Sequence, residues 1–139
     1  KYEPGTIKAI SRKDGKVVLE KEIHTAGNPS KLELLANKES LVNDNYDLVY
    51  VTVNIKDADG NLVPKANNLI DFEVTGGGTI VGVDNGYQAN LSSFKASKIK
   101  AFNGKCVVII QSNGKAETIT LKASSNIGST KKLIKIKTD

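Results

Sequence analysis

Side chains do chemistry in concert, by ionising, attacking or ligating together, and this sequence offers few that could. His24 is the only histidine and Cys106 the only cysteine in 139 residues. A catalytic triad or a zinc site would have to recruit His24 from a stretch remote in sequence from any partner. Cys106 opens the apolar run Cys106-Val107-Val108-Ile109-Ile110, which reads as a buried hydrophobe rather than a reactive thiol. With one cysteine there is no internal disulfide. Asp57-Ala58-Asp59-Gly60-Asn61 has the opening of a calcium loop, but the closing glutamate is missing and Asn68 stands in its place. A turn with aspartates accepting backbone N–H groups and Gly60 at positive φ accounts for it. Gly76-Gly77-Gly78 lacks the helix and lysine of a phosphate loop and reads as a flexible turn. Asp71 and Glu73 form a carboxylate pair of the kind glycoside hydrolysis needs. They alternate with Ile70, Phe72 and Val74, so they face water, and an exposed pair lacks the separated pKa values the reaction demands. No catalytic residue, metal site or cofactor is expected.

The stretch most open to a ligand is residues 83–102, long for a loop and without clear alternation. Its candidate ligand-binding residues are Asp84, Asn85, Tyr87 and Phe94. The competing expectation is structural, with Phe94 and Phe102 anchoring a crossover between two sheets.

The elements that must position these residues are strands. Val49, Val51, Val53 and Ile55 alternate with Tyr50, Thr52, Asn54 and Lys56, the pattern of a half-buried strand. Ile70, Phe72 and Val74 repeat it, as do Ile119, Leu121 and Ala123. Leu32, Leu34 and Ala36 supply another strand, residues 106–111 a central one, and residues 133–137 the last. Turns such as Asn103-Gly104 and Asn113-Gly114 separate them, and no convincing helical stripe is present. These spacings predict an all-β fold, an immunoglobulin-like two-sheet β-sandwich with Greek-key connections. Before it, residues 6–10 and 17–23 flank Lys13-Asp14-Gly15-Lys16 and predict an N-terminal β-hairpin. Thr25-Ala26-Gly27-Asn28-Pro29 then reads as a junction. The expected division is 1–27, a hairpin remnant of a preceding domain with its junction, and 28–139, the sandwich.

Charge adds an exclusion. The net charge of +5 divides into −3 over residues 1–89 and +8 over residues 90–139. A basic half invites nucleic acid, but all its cations are lysine, and Tyr and Trp are absent there, so the stacking platforms for bases are lacking. No apolar run reaches the roughly 18 residues that cross a bilayer, so membrane insertion is not expected. Starting at Lys1 without any methionine, the chain reads as a processed protein or a piece of a longer one.

Val51-Thr52-Val53-Asn54-Ile55-Lys56-Asp57-Ala58-Asp59-Gly60-Asn61-Leu62-Val63-Pro64 resembles the opening of bacterial immunoglobulin-like domains. Gly82-Val83-Asp84-Asn85-Gly86, Ser93-Phe94-Lys95 and Lys100-Ala101-Phe102-Asn103-Gly104-Lys105-Cys106 more narrowly resemble the C-terminal domain of glycoside hydrolase family 2 enzymes of the bacterial β-galactosidase type. Tyr2-Glu3-Pro4-Gly5-Thr6-Ile7-Lys8-Ala9, Asp14-Gly15-Lys16 and Thr25-Ala26-Gly27 are similar to the end of the immunoglobulin-like domain preceding it. Tyr87 departs from the acid the family often carries after Asp-Asn-Gly. The resemblance implies a non-catalytic accessory domain of a secreted β-galactosidase-like hydrolase, periplasmic or extracellular. Its partners would be the parent enzyme's other domains, and the catalytic glutamates would lie in an upstream barrel. A carbohydrate-binding module, with a glycan as partner, and an adhesin-type repeat are the alternatives. The missing Trp weighs against the first and the single visible sandwich against the second.

Overall fold

The computed structural model describes residues 3–137. Strands β1 (Thr6–Lys13) and β2 (Lys16–His24) form a two-stranded sheet of their own. Then follow β3 (Lys31–Ala36), β4 (Ser40–Val42), β5 (Leu48–Lys56), β6 (Leu69–Thr75), β7 (Gly78–Asp84), β8 (Lys98–Lys100), β9 (Lys105–Ser112), β10 (Ile119–Ser125) and β11 (Gly128–Lys137). They make two sheets, one ordered β4-β11-β10-β6-β8 and the other β3-β5-β9-β7. The result is an immunoglobulin-like sandwich with Greek-key crossings, and no helix occurs among the described residues.

The alternating apolar residues form the interior. Val49, Val51, Val53 and Ile55 of β5 and Val108 and Ile110 of β9 face Ile70 and Phe72 of β6, Ile119, Leu121 and Ala123 of β10 and Ile134 of β11, all of them buried. In each strand the apolar set occupies one side of the pleat, so both sheets turn their apolar sides inward and exclude water between them. Cys106 lies in this core, and burial pushes its thiol pKa up to about 12, which makes it inert.

Two features depart from the alternation pattern. The connection 83–102 contains the short strand β8, which pairs with β6 through Ile70↔Ile99. Its crossover is anchored by buried Ile99 and Ala101, whereas Phe94 is mostly exposed. Strand β4 is only three residues long and lies parallel to β11, from Lys135↔Ser40 to Lys137↔Val42.

The triple glycine is packed rather than flexible. It carries the chain from β6 in one sheet to β7 in the other, so the backbone must pass close beneath the 113–118 connection. A Cβ on Gly77 would meet the carbonyl oxygens of Lys115 and Glu117, 2.5 Å from the latter. One on Gly78 would lie 2.8 Å from both Ile110 Cγ2 and Ile119 Cδ1. The Gly77 N–H donates to Glu117 O at 3.1 Å, and the Asn113 side-chain amide donates to Gly76 O and Gly78 O at 3.2 and 3.3 Å.

The hairpin forms as its Asp-Gly turn requires, with Asp14 at φ 51° and Gly15 at φ 77°. Two positive values in succession suit a two-residue turn between twisted strands. Every residue of β1 and β2 is exposed. Residues paired across the strands share a face, so Ile7, Ile23, Ala9 and Leu19 lie on one largely apolar face, together with Lys21 and Ser11. The opposite face is ionic. Lys8 bridges Glu20 and Glu22, and Thr6 Oγ1 lies 2.8 Å from His24 Nδ1.

Candidate functional site: the 84–102 loop and the hairpin junction

Asp84 ends β7, and its carboxylate turns back on the chain. Its Oδ1 accepts the backbone N–H groups of Asn85 at 2.7 Å and Gly86 at 3.2 Å, and Gly86 takes φ 73°. Asn85 is occupied at both ends of its amide. Its Nδ2 donates to Lys100 O at 2.9 Å, and its Oδ1 accepts from Tyr87 N at 2.9 Å. Together these bonds fold the start of the loop onto the segment just before β9.

Tyr87 packs against Phe102, with ring centroids 4.8 Å apart and planes inclined by 34°. That geometry suits offset aromatic packing and occupies the tyrosine with an internal partner. Phe94 accepts the Val83 N–H on its carbonyl at 2.8 Å, covering part of the outer edge of β7. An open edge invites pairing with other chains, and such a loop blocks it. Leu91, at 99% exposed, marks the loop tip. Of the four candidates, then, Asp84, Asn85 and Tyr87 build the loop, and Phe94, 58% exposed, and Tyr87, 49% exposed, both present part of a ring to solvent. Phe102, the partner of Tyr87, was legible as an aromatic in the same stretch.

The residue that sequence reasoning placed in a turn, but did not connect to the junction, is Asp57. Its Oδ1 accepts Asn61 N at 2.8 Å, closing the expected turn with Gly60 at φ 92°. Its Oδ2 accepts Gly27 N at 2.8 Å and Asn61 Nδ2 at 3.1 Å. The carboxylate thus clamps the hairpin junction to the sandwich. It lies just under the surface, 2% exposed. The Gly27 N–H, which stabilises the anion more than shallow burial disfavours it, holds its pKa at about 2.

A depressed carboxylate pKa contributes stability above its unfolded value, and that contribution disappears as pH falls through the folded value. Asp57→Asn is therefore expected to melt below the parent sequence at neutral pH. Thermal melts over a pH series should show the gap closing as pH falls from 3.8 toward about 2. A gap that stays constant across that range would show that the charge of Asp57 is not what holds Gly27.

No group of three or more metal-ligating side chains occurs among the described residues. Asp71 and Glu73 are exposed, and Glu73 pairs with Lys122 at 3.5 Å.

The fold and loop define a class, the immunoglobulin-like sandwich with an appended hairpin. Residues 32–133 match the glycoside hydrolase family 2 C-terminal domain 5, and the chain belongs to that family. It is 50% identical over 125 residues to the β-galactosidase BoGH2A of Bacteroides ovatus, covering 90% of this chain and 15% of that protein. It is 30% identical to a β-galactosidase of Thermoanaerobacter pseudethanolicus over 96% of this chain and 16% of the relative. Among solved structures, a glycosyl hydrolase family 2 member from Bacteroides cellulosilyticus superimposes with a TM-score of 0.92 at 28% identity, over 98% of this chain and 18% of that one. The chain thus spans less than a fifth of each of these three proteins.

Proposed function

We infer that this chain is a non-catalytic accessory C-terminal domain of a secreted β-galactosidase-like glycoside hydrolase, one that supports or docks to the catalytic module. The observation that carries this reading is the match to a β-galactosidase over nearly all of this chain and 15% of the relative. A retaining or inverting hydrolase needs two carboxyl groups whose environments separate their pKa values. The carboxylates here that are drawn out of water have other tasks. Asp57 holds backbone N–H groups, Asp47 pairs with Lys38, and Glu33 pairs with Lys56 at 2.6 Å.

Residues 1–27 are read as the tail of a preceding immunoglobulin-like unit with its junction, and 28–139 as the accessory sandwich. The separate, wholly exposed hairpin sheet supports that division, since a lone hairpin is marginal in water. Asp84, Asn85, Tyr87 and Phe94 belong in this reading to loop architecture and a contact surface. A sugar platform usually presents Trp or several aromatic rings, whereas Tyr87 is a single loop tyrosine packed against Phe102. The parent is read as bacterial, in keeping with its bacterial relatives, and its periplasmic or extracellular location is part of the proposal.

The support role is tested by removing residues 28–139 from the parent enzyme. The shortened enzyme is expected to melt at a lower temperature while kcat and KM for nitrophenyl galactoside at room temperature stay close to those of the intact enzyme. An unchanged melting temperature would contradict support. A collapse of kcat in an enzyme that stays folded would assign this domain a part in the chemistry.

A further inference from the structure

At the foot of the hairpin, where it meets the sandwich, lies a groove of about 970 Å³ lined by Ile23, Ala26, Pro29, Leu62, Val63 and Pro64. Its walls come from two places. One is the end of β2 and the junction, and the other is the turn and connection following β5. Their relative position is held by two hydrogen bonds. Gly27 N donates to Asp57 Oδ2 at 2.8 Å and Ser30 N to Lys56 O at 2.9 Å, while Thr25 N donates to Gly5 O at 2.9 Å and closes the foot of the hairpin itself. The groove therefore has a built shape rather than one that depends on a hinge.

Ile23 belongs to the groove and also to the apolar face of the hairpin, where it pairs with Ile7. These two side chains are 65% and 75% exposed. Burying such residues is favourable, and adjoining large apolar side chains left open mark surfaces that another body covers. The Ile7–Ile23 pair thus carries an apolar surface into the groove, bordered on the same face by the next pair, Ala9 and Lys21. A body lying on the hairpin face also meets the groove.

We propose that this groove is the seat of the preceding immunoglobulin-like unit of the same chain, whose body covers the hairpin's apolar face and packs its near end against Pro29, Leu62 and Pro64. The inference rests on the reading that the hairpin belongs to that unit. The occupant is tethered in cis. In the Bacteroides cellulosilyticus protein the region matching 98% of this chain is 18% of the whole, and the proposed parent is read as carrying a comparable remainder on the same polypeptide. An interface of this kind sets the angle between two domains, and the Asp57 clamp makes it rigid.

The test is thiol labelling in the full-length parent enzyme. Ile7→Cys probes the hairpin face and Pro64→Cys the groove, with Lys65→Cys as a second groove probe should Pro64→Cys fold poorly. Labelling is mapped to each site by peptide analysis, and Cys106 is too buried to compete. Relative to the same variant unfolded in urea, both sites are expected to react at least about tenfold more slowly, since modification must wait for the domains to open. Slow labelling at Ile7→Cys with free labelling at both groove probes would overturn the groove inference and leave the hairpin reading intact. Free labelling at all sites would overturn both. Groove protection that requires high enzyme concentration, or appears only with added polysaccharide, would assign the groove to a second copy or to a glycan and overturn the proposal.

Discussion

Replacing Gly77 by Ala is expected to cost about 3 kcal/mol of folding stability and to lower the melting temperature by roughly 10 °C. The methyl group would meet two backbone carbonyl oxygens, those of Lys115 and Glu117, with Ile136 Cγ1 at 3.0 Å on a third side. Flexible side chains can move aside, but a carbonyl moves only with its strand. Here the strands are β7, through Gly78, and β10, which begins two residues after Glu117. Shifting either one would also break the bonds from Gly77 N to Glu117 O and from Asn113 N to Gly77 O, at 3.1 and 3.0 Å. Gly5→Ala is the matched control, because a Cβ there meets nothing within 4 Å, and its melting temperature should stay where it is. Circular dichroism melts of the two variants decide the matter. A Gly77→Ala protein as stable as the Gly5→Ala protein would show that the sheet-switching turn has slack.

Ile119→Ala should destabilise the protein by about 2–5 kcal/mol. Ile119 is fully buried between the sheets, opposite Ile134 in register and against Gly78. Truncation removes buried methyl and methylene groups and leaves a cavity. Two sheets held by paired strands cannot readily close over it, which places the site toward the costly end of the range. Leu133→Ala is the contrast. It neighbours Ile134 in sequence, but Leu133 is 62% exposed on the wet side of β11, so its loss should stay within about 0.5 kcal/mol. Urea titrations of both variants give the comparison directly. Equal losses would mean that the outer side of β11 is packed as tightly as its inner side.

Those two residues also show what period-two alternation reveals. Ile119, Leu121 and Ala123 alternate with polar neighbours because a pleated strand exposes every second side chain, so a local pattern reports a local environment. The same logic placed Val49 to one side of β5 and Tyr50 to the other, and the hairpin followed from Asp14-Gly15. What stayed hidden depends on partners distant in the chain. The tight packing of Gly77 is set by Lys115 and Glu117, and nothing near Gly77 announces them. Asp57 reads as a turn residue from its neighbours, while its bond to Gly27 spans 30 residues. Strand β4 exists because β11 lies beside it, and β8 is too short for alternation to declare it. In the candidate loop, Asp84, Asn85 and Tyr87 stand out in the sequence as possible ligand contacts in a long connection. Only the structure assigns two of them to backbone hydrogen bonds and the third to the ring of Phe102.

The central claim is that this sandwich accompanies a glycosidase without being one. It is tested most directly by incubating the purified chain with nitrophenyl β-galactoside and following nitrophenol release, with the parent enzyme as reference. The chain is expected to release nothing above the rate of the buffer, because its exposed carboxylates have no desolvating pocket to hold one of them protonated. Clear turnover by the chain, abolished by Asp71→Asn or Glu73→Gln, would contradict the account and make this domain a catalyst in its own right.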